Sequence, residues 1–204
     1  MQIKMANGNS TNYPRSDFKR IVVPEAEIAQ IVSRLAREIT ADYYGKKLLL
    51  CGILKGAFIF MADLCRQIDL PAELTFLNAS SYGTSSTSAG VVKIEKIEKI
   101  EEFSAFSRYF GYEILIIDDI LDTGNTFFAL GEFLKNKGFA NIEFCALLDK
   151  PEKRESEVYV KYIGKKIPNE FVVGYGLDYN EKYRGLPYIA ALDEKIYNQE
   201  NNSY

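Results

Sequence analysis

Three short apolar runs constrain this chain more than any other feature: Leu48–Leu54 (LLLCGIL), residues 114–117 (ILII) and residues 142–148 (IEFCALL). A half-buried strand alternates apolar with polar residues. A strand apolar at nearly every position has both faces covered, as in a parallel sheet lying between helices. Helical spacing appears between the runs. Pro24 at a first-turn position is followed by Glu25 and Glu27, then by Ile28, Ile31, Val32, Leu35 and Ile39, which predicts an amphipathic helix ending near Tyr43. Further helices are expected at 57–68 and at 127–137, the second closed by Gly138, with strands at 72–77 and 171–175. Strands and helices that alternate in this way predict an α/β fold with a doubly wound, mostly parallel sheet flanked by helices. Ligands are then expected beyond the carboxyl ends of the strands. A chain of 204 residues suits one such domain.

Composition enters through an absence, for the chain has no histidine. That excludes Ser-His-Asp and Cys-His relays, His-ligated zinc or iron, and imidazole as a general base. Carboxylates, lysines, backbone amides or a borrowed metal must carry any chemistry. The three cysteines, Cys51, Cys65 and Cys145, are far apart and mostly sit in apolar runs, so they read as buried reduced thiols in a cytoplasmic setting. No N-terminal signal segment is legible, and no apolar stretch reaches the roughly 20 residues of a membrane span. A net charge of −3 argues against a general nucleic-acid binder and leaves room for an anionic small ligand.

Residues 1–17 are polar, with Asn-Gly and Tyr-Pro breakers, and read as a loosely held leader to a domain spanning 18–204. Residues 79–90 (ASSYGTSSTSAG) form a Ser, Thr and Gly stretch too polar to pack, which suggests a mobile loop. The Lys-Ile-Glu repeat in 91–102 starts like a strand and is equally compatible with a helix.

The sharpest motif is ILIIDDILDTGNTF, residues 114–127. A buried strand runs into the paired acids Asp118 and Asp119, then into the turn Asp122, Thr123, Gly124, Asn125, Thr126 that opens a helix. Small and hydroxylic residues at a helix N-terminus make an anion cradle from free N–H groups and the positive dipole end. A lone Asp or Thr there is more often a cap than a ligand group. The adjacent acids would repel a bare phosphate unless they bind neighbouring hydroxyls or a divalent cation. A phosphorylated sugar supplies the hydroxyls and can bring the cation. The P-loop, dinucleotide and EF-hand patterns are all missing.

Residues 114–127 resemble the phosphoribosyl pyrophosphate (PRPP) binding motif of type I phosphoribosyltransferases. Four other segments resemble the 6-oxopurine branch, the hypoxanthine-guanine phosphoribosyltransferases: GILKGAFIF (52–60), SSYGTSSTSAG (80–90), LLDKPEKR (147–154) and EFVVGYGLDYNEKYRGLPYI (170–189). The resemblance spans about residues 18–193. It implies transfer of ribose 5-phosphate from PRPP to a purine with loss of pyrophosphate, through an oxocarbenium-like state, with Mg2+ as cofactor. It also implies a small hood built from the N-terminal segment and about 155–204, and a homodimer or homotetramer. Asp118 and Asp119 would bind the ribose hydroxyls, and Asp122, Thr123, Gly124, Asn125 and Thr126 the 5-phosphate. Asp122 would also accept the purine N7 proton, consistent with the lack of histidine. Lys55 and Gly56 match the pyrophosphate loop, where the Leu54–Lys55 peptide is often cis in the family, and Arg184 would pair with pyrophosphate. Asp178, with Asp118 and Asp119, would face the metal. Lys150 would donate to purine O6 and N7, Phe171 would stack on the base, and Val172 would offer its backbone groups. Ser81 and Tyr82 would begin a catalytic lid. Lys153 and Arg154 read as a solvated charge run.

Two departures from the family pattern stand out. Asp118 replaces the usual Glu, and the segment between Val92 and Ile114 is longer than the family norm and lacks its acidic triplet. A donor at O6 selects against adenine but does not separate hypoxanthine, guanine and xanthine. A PRPP-sensing nucleic-acid regulator of the same fold would need a basic face, which the charge does not suggest.

Overall fold

A computed structural model describes residues 13–78 and 106–198. Ser81, Tyr82 and the 91–102 repeat lie outside the described residues, so the lid and the repeat are not addressed. Five strands form an entirely parallel sheet: β2 (Leu48–Leu54), β3 (Ala72–Asn78), β4 (Glu113–Leu121), β5 (Ile142–Asp149) and β6 (Tyr162–Lys166), in the order β3-β2-β4-β5-β6. Helix α1 (Glu25–Asp42) precedes β2, α2 (Phe58–Cys65) links β2 to β3, and α3 (Asn125–Asn136) links β4 to β5.

The unbroken apolar runs follow from this layering. On β2, Leu48 and Leu50 pack with α1 and α2, whereas Leu49, Cys51 and Ile53 pack on the α3 side. On β4, Leu115 and Ile117 face the first layer, and Ile114 and Ile116 face the second. Alternate side chains point to opposite faces of a strand, so two helical layers demand apolar residues at every position. Each fully buried Leu or Ile contributes about 1.5–3 kcal/mol of transfer free energy, and Leu115→Ala would cost about 2–5 kcal/mol. The exception is β3, an edge strand whose Leu74 and Phe76 remain about half exposed.

A second, antiparallel sheet joins the two ends of the chain: β1 (Phe18–Val23), β8 (Ile189–Leu192) and β7 (Val172–Val173), ordered β1-β8-β7. The expected strand at 171–175 shrinks to these two residues of β7. Gly174 and Tyr175 turn to positive φ, 101° and 52°, and end it there. Strands β1, β6 and β8 have no counterpart in the sequence reading. Strand β6 lies within the 155–204 stretch expected in the hood, yet it pairs with β5 in the main sheet. Within residues 13–17, expected to be loose, Pro14, Arg15 and Ser16 are exposed, but Tyr13 and Asp17 are held to Tyr183. The Tyr13 and Tyr183 rings are 4.4 Å apart, Tyr183 N donates to the Tyr13 hydroxyl at 3.1 Å, and the Tyr183 hydroxyl donates to Asp17 at 3.0 Å. A short helix, α4 (Glu194–Asn198), closes the described chain.

From β2 the chain passes to β3 on one side and to β4 on the other. The winding direction therefore reverses between β2 and β4, and a crevice is expected at their carboxyl ends.

Candidate active site

A cleft of about 1120 Å³ opens at that reversal point. Every site residue named from the sequence lines it, apart from the undescribed Ser81 and Tyr82: Lys55 and Gly56 after β2, Asp118 through Thr126 around the end of β4, Lys150 after β5, and Phe171, Val172, Asp178 and Arg184 from the C-terminal segment. These groups come from positions up to 129 residues apart (Lys55 to Arg184), and the parallel strand ends bring them together.

The paired acids sit inside β4 rather than after it, because the strand runs on to Leu121. Asp118 pairs in register with Ala146 of β5, and its Oδ1 accepts a hydrogen bond from Asp119 N at 2.9 Å. Burial, reinforced by the neighbouring Asp119 carboxylate, holds Asp118 well above the usual carboxylate pKa. Burial also raises Asp119, while hydrogen bonds to Asp118 and the backbone oppose the rise. Two carboxylates held this way are short of positive charge or hydroxyl donors.

The turn beyond them is pinned from outside. Thr123 O accepts from Glu155 N at 2.9 Å and Ser156 N at 3.0 Å, and the Asn125 amide donates to Glu155 at 3.0 Å. Gly124, not Asp122 or Thr123, takes the N-cap of α3, at φ 86°. A Cβ there would lie 2.9 Å from Ser156 O, so only glycine fits. Asn125 N donates to Thr123 Oγ1 at 3.3 Å, and because Gly124 offers no capping side chain, the Thr126 and Phe127 N–H groups that follow are left for an anion. Asp122 Oδ2 accepts from Lys153 Nζ at 3.2 Å, while Oδ1 is buried and has no partner among the described residues.

On the other side of the cleft the Leu54–Lys55 peptide is cis. Gly56 lies so close to Asp119 that a Cβ would fall 1.7 Å from Asp119 Oδ2. Gly176 lies equally close to Gly56: a Cβ on Gly176 would fall 2.1 Å from Gly56 O. Arg184 closes this stack. Its Nη1 donates to Gly176 O at 2.8 Å and its Nη2 pairs with Asp178 Oδ1 at 2.9 Å. Two glycines thus let the Lys55–Gly56 loop, the acid pair and the Arg184 segment approach one another at backbone distance.

The third wall is drier. Lys150 N donates to Leu121 O at 2.9 Å, which ties the start of the β5 loop to the end of β4, and the Lys150 side chain is buried. Burial pushes the Lys150 ammonium below the ordinary lysine pKa, against the pull of Asp122. Phe171 is 42% exposed and stacks on Tyr197 with ring centroids 5.3 Å apart.

Of the Lys153–Arg154 charge run, Lys153 is exposed as expected and Arg154 is not. Lys153 reaches Asp122, and Arg154 forms a largely buried ion pair with Asp149 at 2.5 Å. Glu155, Glu170, Glu181 and Tyr197 also line the cleft and were not identified from the sequence. Glu170 and Glu181 lie inside the 170–189 motif, Glu181 three residues from both Asp178 and Arg184, whereas Glu155 stands one residue past the 147–154 segment and Tyr197 lies beyond every motif. Seven carboxylates and four cationic side chains line the cleft in all. Among the described residues, no group of three or more His, Cys, Asp or Glu is placed to cage a metal, so Asp118, Asp119 and Asp178 form no ready-made ligand set.

Comparison with known proteins agrees with this geometry. The family model described as Phosphoribosyl transferase domain matches residues 22–180. A Staphylococcus aureus hypoxanthine-guanine phosphoribosyltransferase is 42% identical over 182 residues, 89% of this chain and 98% of that protein. A crystal structure of a Staphylococcus aureus hypoxanthine phosphoribosyltransferase superposes with a TM-score of 0.79 at 42% identity, covering 89% of this chain and 95% of that one. A Trypanosoma cruzi hypoxanthine phosphoribosyl transferase, studied for the role of its C-terminal region in oligomeric state and enzymatic activity, gives a TM-score of 0.78 at 33% identity, covering 93% and 98%. With a parallel sheet whose β2 and β4 ends meet in this cleft and a family match over most of its length, the chain belongs to the phosphoribosyltransferase family.

Proposed function

We propose that the chain is a magnesium-dependent 6-oxopurine phosphoribosyltransferase of purine salvage, converting hypoxanthine or guanine and PRPP to the 5′-monophosphate and pyrophosphate. The observation that carries this reading is the meeting, in one cleft, of a helix N-terminus with no side chain capping it at Gly124, an acid pair whose Asp119 is buried, and a buried lysine beside an exposed aromatic ring. The first suits a phosphate, the second a ribose diol, and the third an oxygenated purine.

In this reading the 5-phosphate lies on the first-turn N–H groups of α3 with the Thr123 and Thr126 hydroxyls, and Asp118 and Asp119 accept from the ribose hydroxyls. Asp118 is one methylene shorter than the family's usual Glu, so its hydroxyl contact is weaker or water-bridged. Lys55 and Arg184 hold the pyrophosphate. The purine stacks on Phe171, and Lys150 donates to its O6, which disfavours an amino group at that position. The bond from the anomeric carbon to the pyrophosphate oxygen breaks with its electron pair leaving on pyrophosphate. Purine N9 forms the new bond at that carbon, and the N7 proton passes to Asp122, whose Oδ1 has no competing partner. Positive charge that develops on the ribose meets the carboxylates of Asp118 and Asp119.

The residues present suit Mg2+. Seven carboxylates against four cations make a cleft that resists a polyanion unless a divalent ion accompanies it, and the raised carboxyls of Asp118 and Asp119 would be relieved by one. Asp178, with Asp118 and Asp119, would hold the ion largely through water, as Mg2+ prefers when no protein cage exists. Bound there, it would neutralise the departing pyrophosphate. The reading also includes a cytoplasmic setting, supported by three free cysteines of which Cys51 and Cys145 are buried, and a homodimer or homotetramer, supported by the exposed Leu74 and Phe76 on edge strand β3. No helix among the described residues is long and apolar enough to cross a membrane. The functional test is a nucleotide-forming assay with PRPP, Mg2+ and each of hypoxanthine, guanine, xanthine and adenine. Absence of product with the first two would overturn the reading.

A further inference from the structure

Glu181 has no part in the roles assigned above, yet its carboxylate engages both cations of the pyrophosphate subsite. Its Oε1 accepts from Lys55 Nζ at 2.8 Å, and its Oε2 accepts from Arg184 Nη2 at 3.2 Å and Nε at 3.4 Å. Lys55 and Glu181 are 126 residues apart, so this bridge crosses the cleft from the loop after β2 to the C-terminal segment. Arg184 does not need Glu181 to keep its place, since Gly176 O and Asp178 Oδ1 already hold it at 2.8 and 2.9 Å. Asp178 also anchors the backbone beneath the bridge, its Oδ2 accepting from Glu181 N at 2.9 Å.

A carboxylate that spans these two donors offers what a pyrophosphate offers: two anionic oxygens set between the same ammonium and guanidinium. Both cannot hold the same N–H groups at once. The bridge is also open to solvent, with the Lys55 and Glu181 side chains 65% and 64% exposed, so it is weak enough for a substrate to displace. Hydrogen bonds from Lys55 and Arg184 hold the Glu181 carboxyl below the ordinary glutamate pKa, so it stays ionised near neutral pH.

We propose that Glu181 is a resident competitor for pyrophosphate: its carboxylate bridges Lys55 and Arg184 in the free enzyme, gives way when the pyrophosphate group binds, and re-forms the bridge as pyrophosphate departs. The proposal rests on the assignment of Lys55 and Arg184 to pyrophosphate. Its benefit is kinetic, because release of product is a common limit on turnover and an internal anion that recaptures the cations opposes rebinding.

The test is calorimetric titration of wild type and Glu181→Gln with magnesium pyrophosphate and, separately, with inosine 5′-monophosphate, which fills the phosphate and base subsites without reaching Lys55 or Arg184. Thermal melting checks that the exposed, isosteric change leaves the fold intact. The expected result is magnesium pyrophosphate bound about two- to tenfold more tightly by the variant, in keeping with two solvent-exposed pairs, and monophosphate affinity unchanged. Equal tightening of both ligands would mean a general loss of negative charge and overturn the proposal. Weaker pyrophosphate binding would also overturn it, by making Glu181 a support for the cations. A wild type that binds the monophosphate but no magnesium pyrophosphate would instead overturn the assignment of Lys55 and Arg184, and this proposal with it.

Discussion

Replacing Gly56 with alanine should disable the site through a single atom. Gly56 does not have positive φ, so alanine is allowed there by the backbone and the added Cβ alone is at issue. That Cβ would stand 1.7 Å from Asp119 Oδ2 and 2.6 Å from Asp119 Cγ, where ordinary contact begins near 3.4 Å. Carboxylate or loop must therefore move by more than about 1.5 Å, and the loop is blocked on its far side, where Gly56 O already touches Gly176. The Asp119 carboxylate gives way. A misplacement near 1 Å in a substrate-positioning group costs on the order of 100-fold, and hydrogen bonds to a charged group are worth about 1.5–3 kcal/mol, so kcat/KM for PRPP should fall about 100-fold. Overpacking should cost about 1–3 kcal/mol of stability, well short of unfolding the domain. The assay is steady-state nucleotide formation at varied PRPP for Gly56→Ala, Asp119→Ala and the double variant. Because the lesion acts through Asp119, the double variant should be no worse than Asp119→Ala. Activity within threefold of wild type would refute the close approach, and full additivity would place the damage elsewhere in the loop.

Other expectations follow from the same cleft. Asp118→Asn should raise the melting temperature while lowering PRPP affinity. Asp118 titrates higher folded than unfolded, so the folded protein binds the extra proton and wild-type stability falls as pH rises through the folded pKa; the variant's advantage should be full above that pKa and shrink as the pH falls through it, and melting curves across pH that show no such trend would contradict the burial argument. Asp122→Ala should lower kcat by about 10²–10⁴ with the fold retained, as read by single-turnover kinetics and circular dichroism. Lys150→Gln should erode the preference for hypoxanthine over adenine by at least roughly tenfold in competition assays, since the amide can accept from an amino group as well as donate to a carbonyl.

Strands β2, β4 and β5 of the central sheet were legible because their runs at 48–54, 114–117 and 142–148 are apolar at nearly every position, as a sheet covered on both faces requires. The 114–127 turn was legible for a related reason: chemistry and backbone geometry are compressed into one contiguous stretch. Strands β1, β6 and β8 were not: β1 and β8 pair the two ends of the chain, so their partners lie far outside any local window, and β6 (YIGKK) is short and carries no apolar run. Arg154 was misread because a charge run looks alike whether all of it is solvated or, as here, one member pairs with the buried Asp149, while Lys153 stays exposed. Glu181 was invisible as a functional residue for the same reason: its meaning lies in Lys55, across the cleft. The missing histidine, in contrast, excluded imidazole chemistry without reference to any fold, and the cleft's carboxylates agree with that exclusion.

The most direct measurement is product formation from PRPP and each of four purines, with and without Mg2+. The account predicts inosine or guanosine 5′-monophosphate together with pyrophosphate, strict dependence on Mg2+, and little or no product from adenine. Turnover of adenine in preference to hypoxanthine and guanine, or no nucleotide from either 6-oxopurine in the presence of Mg2+, would contradict it.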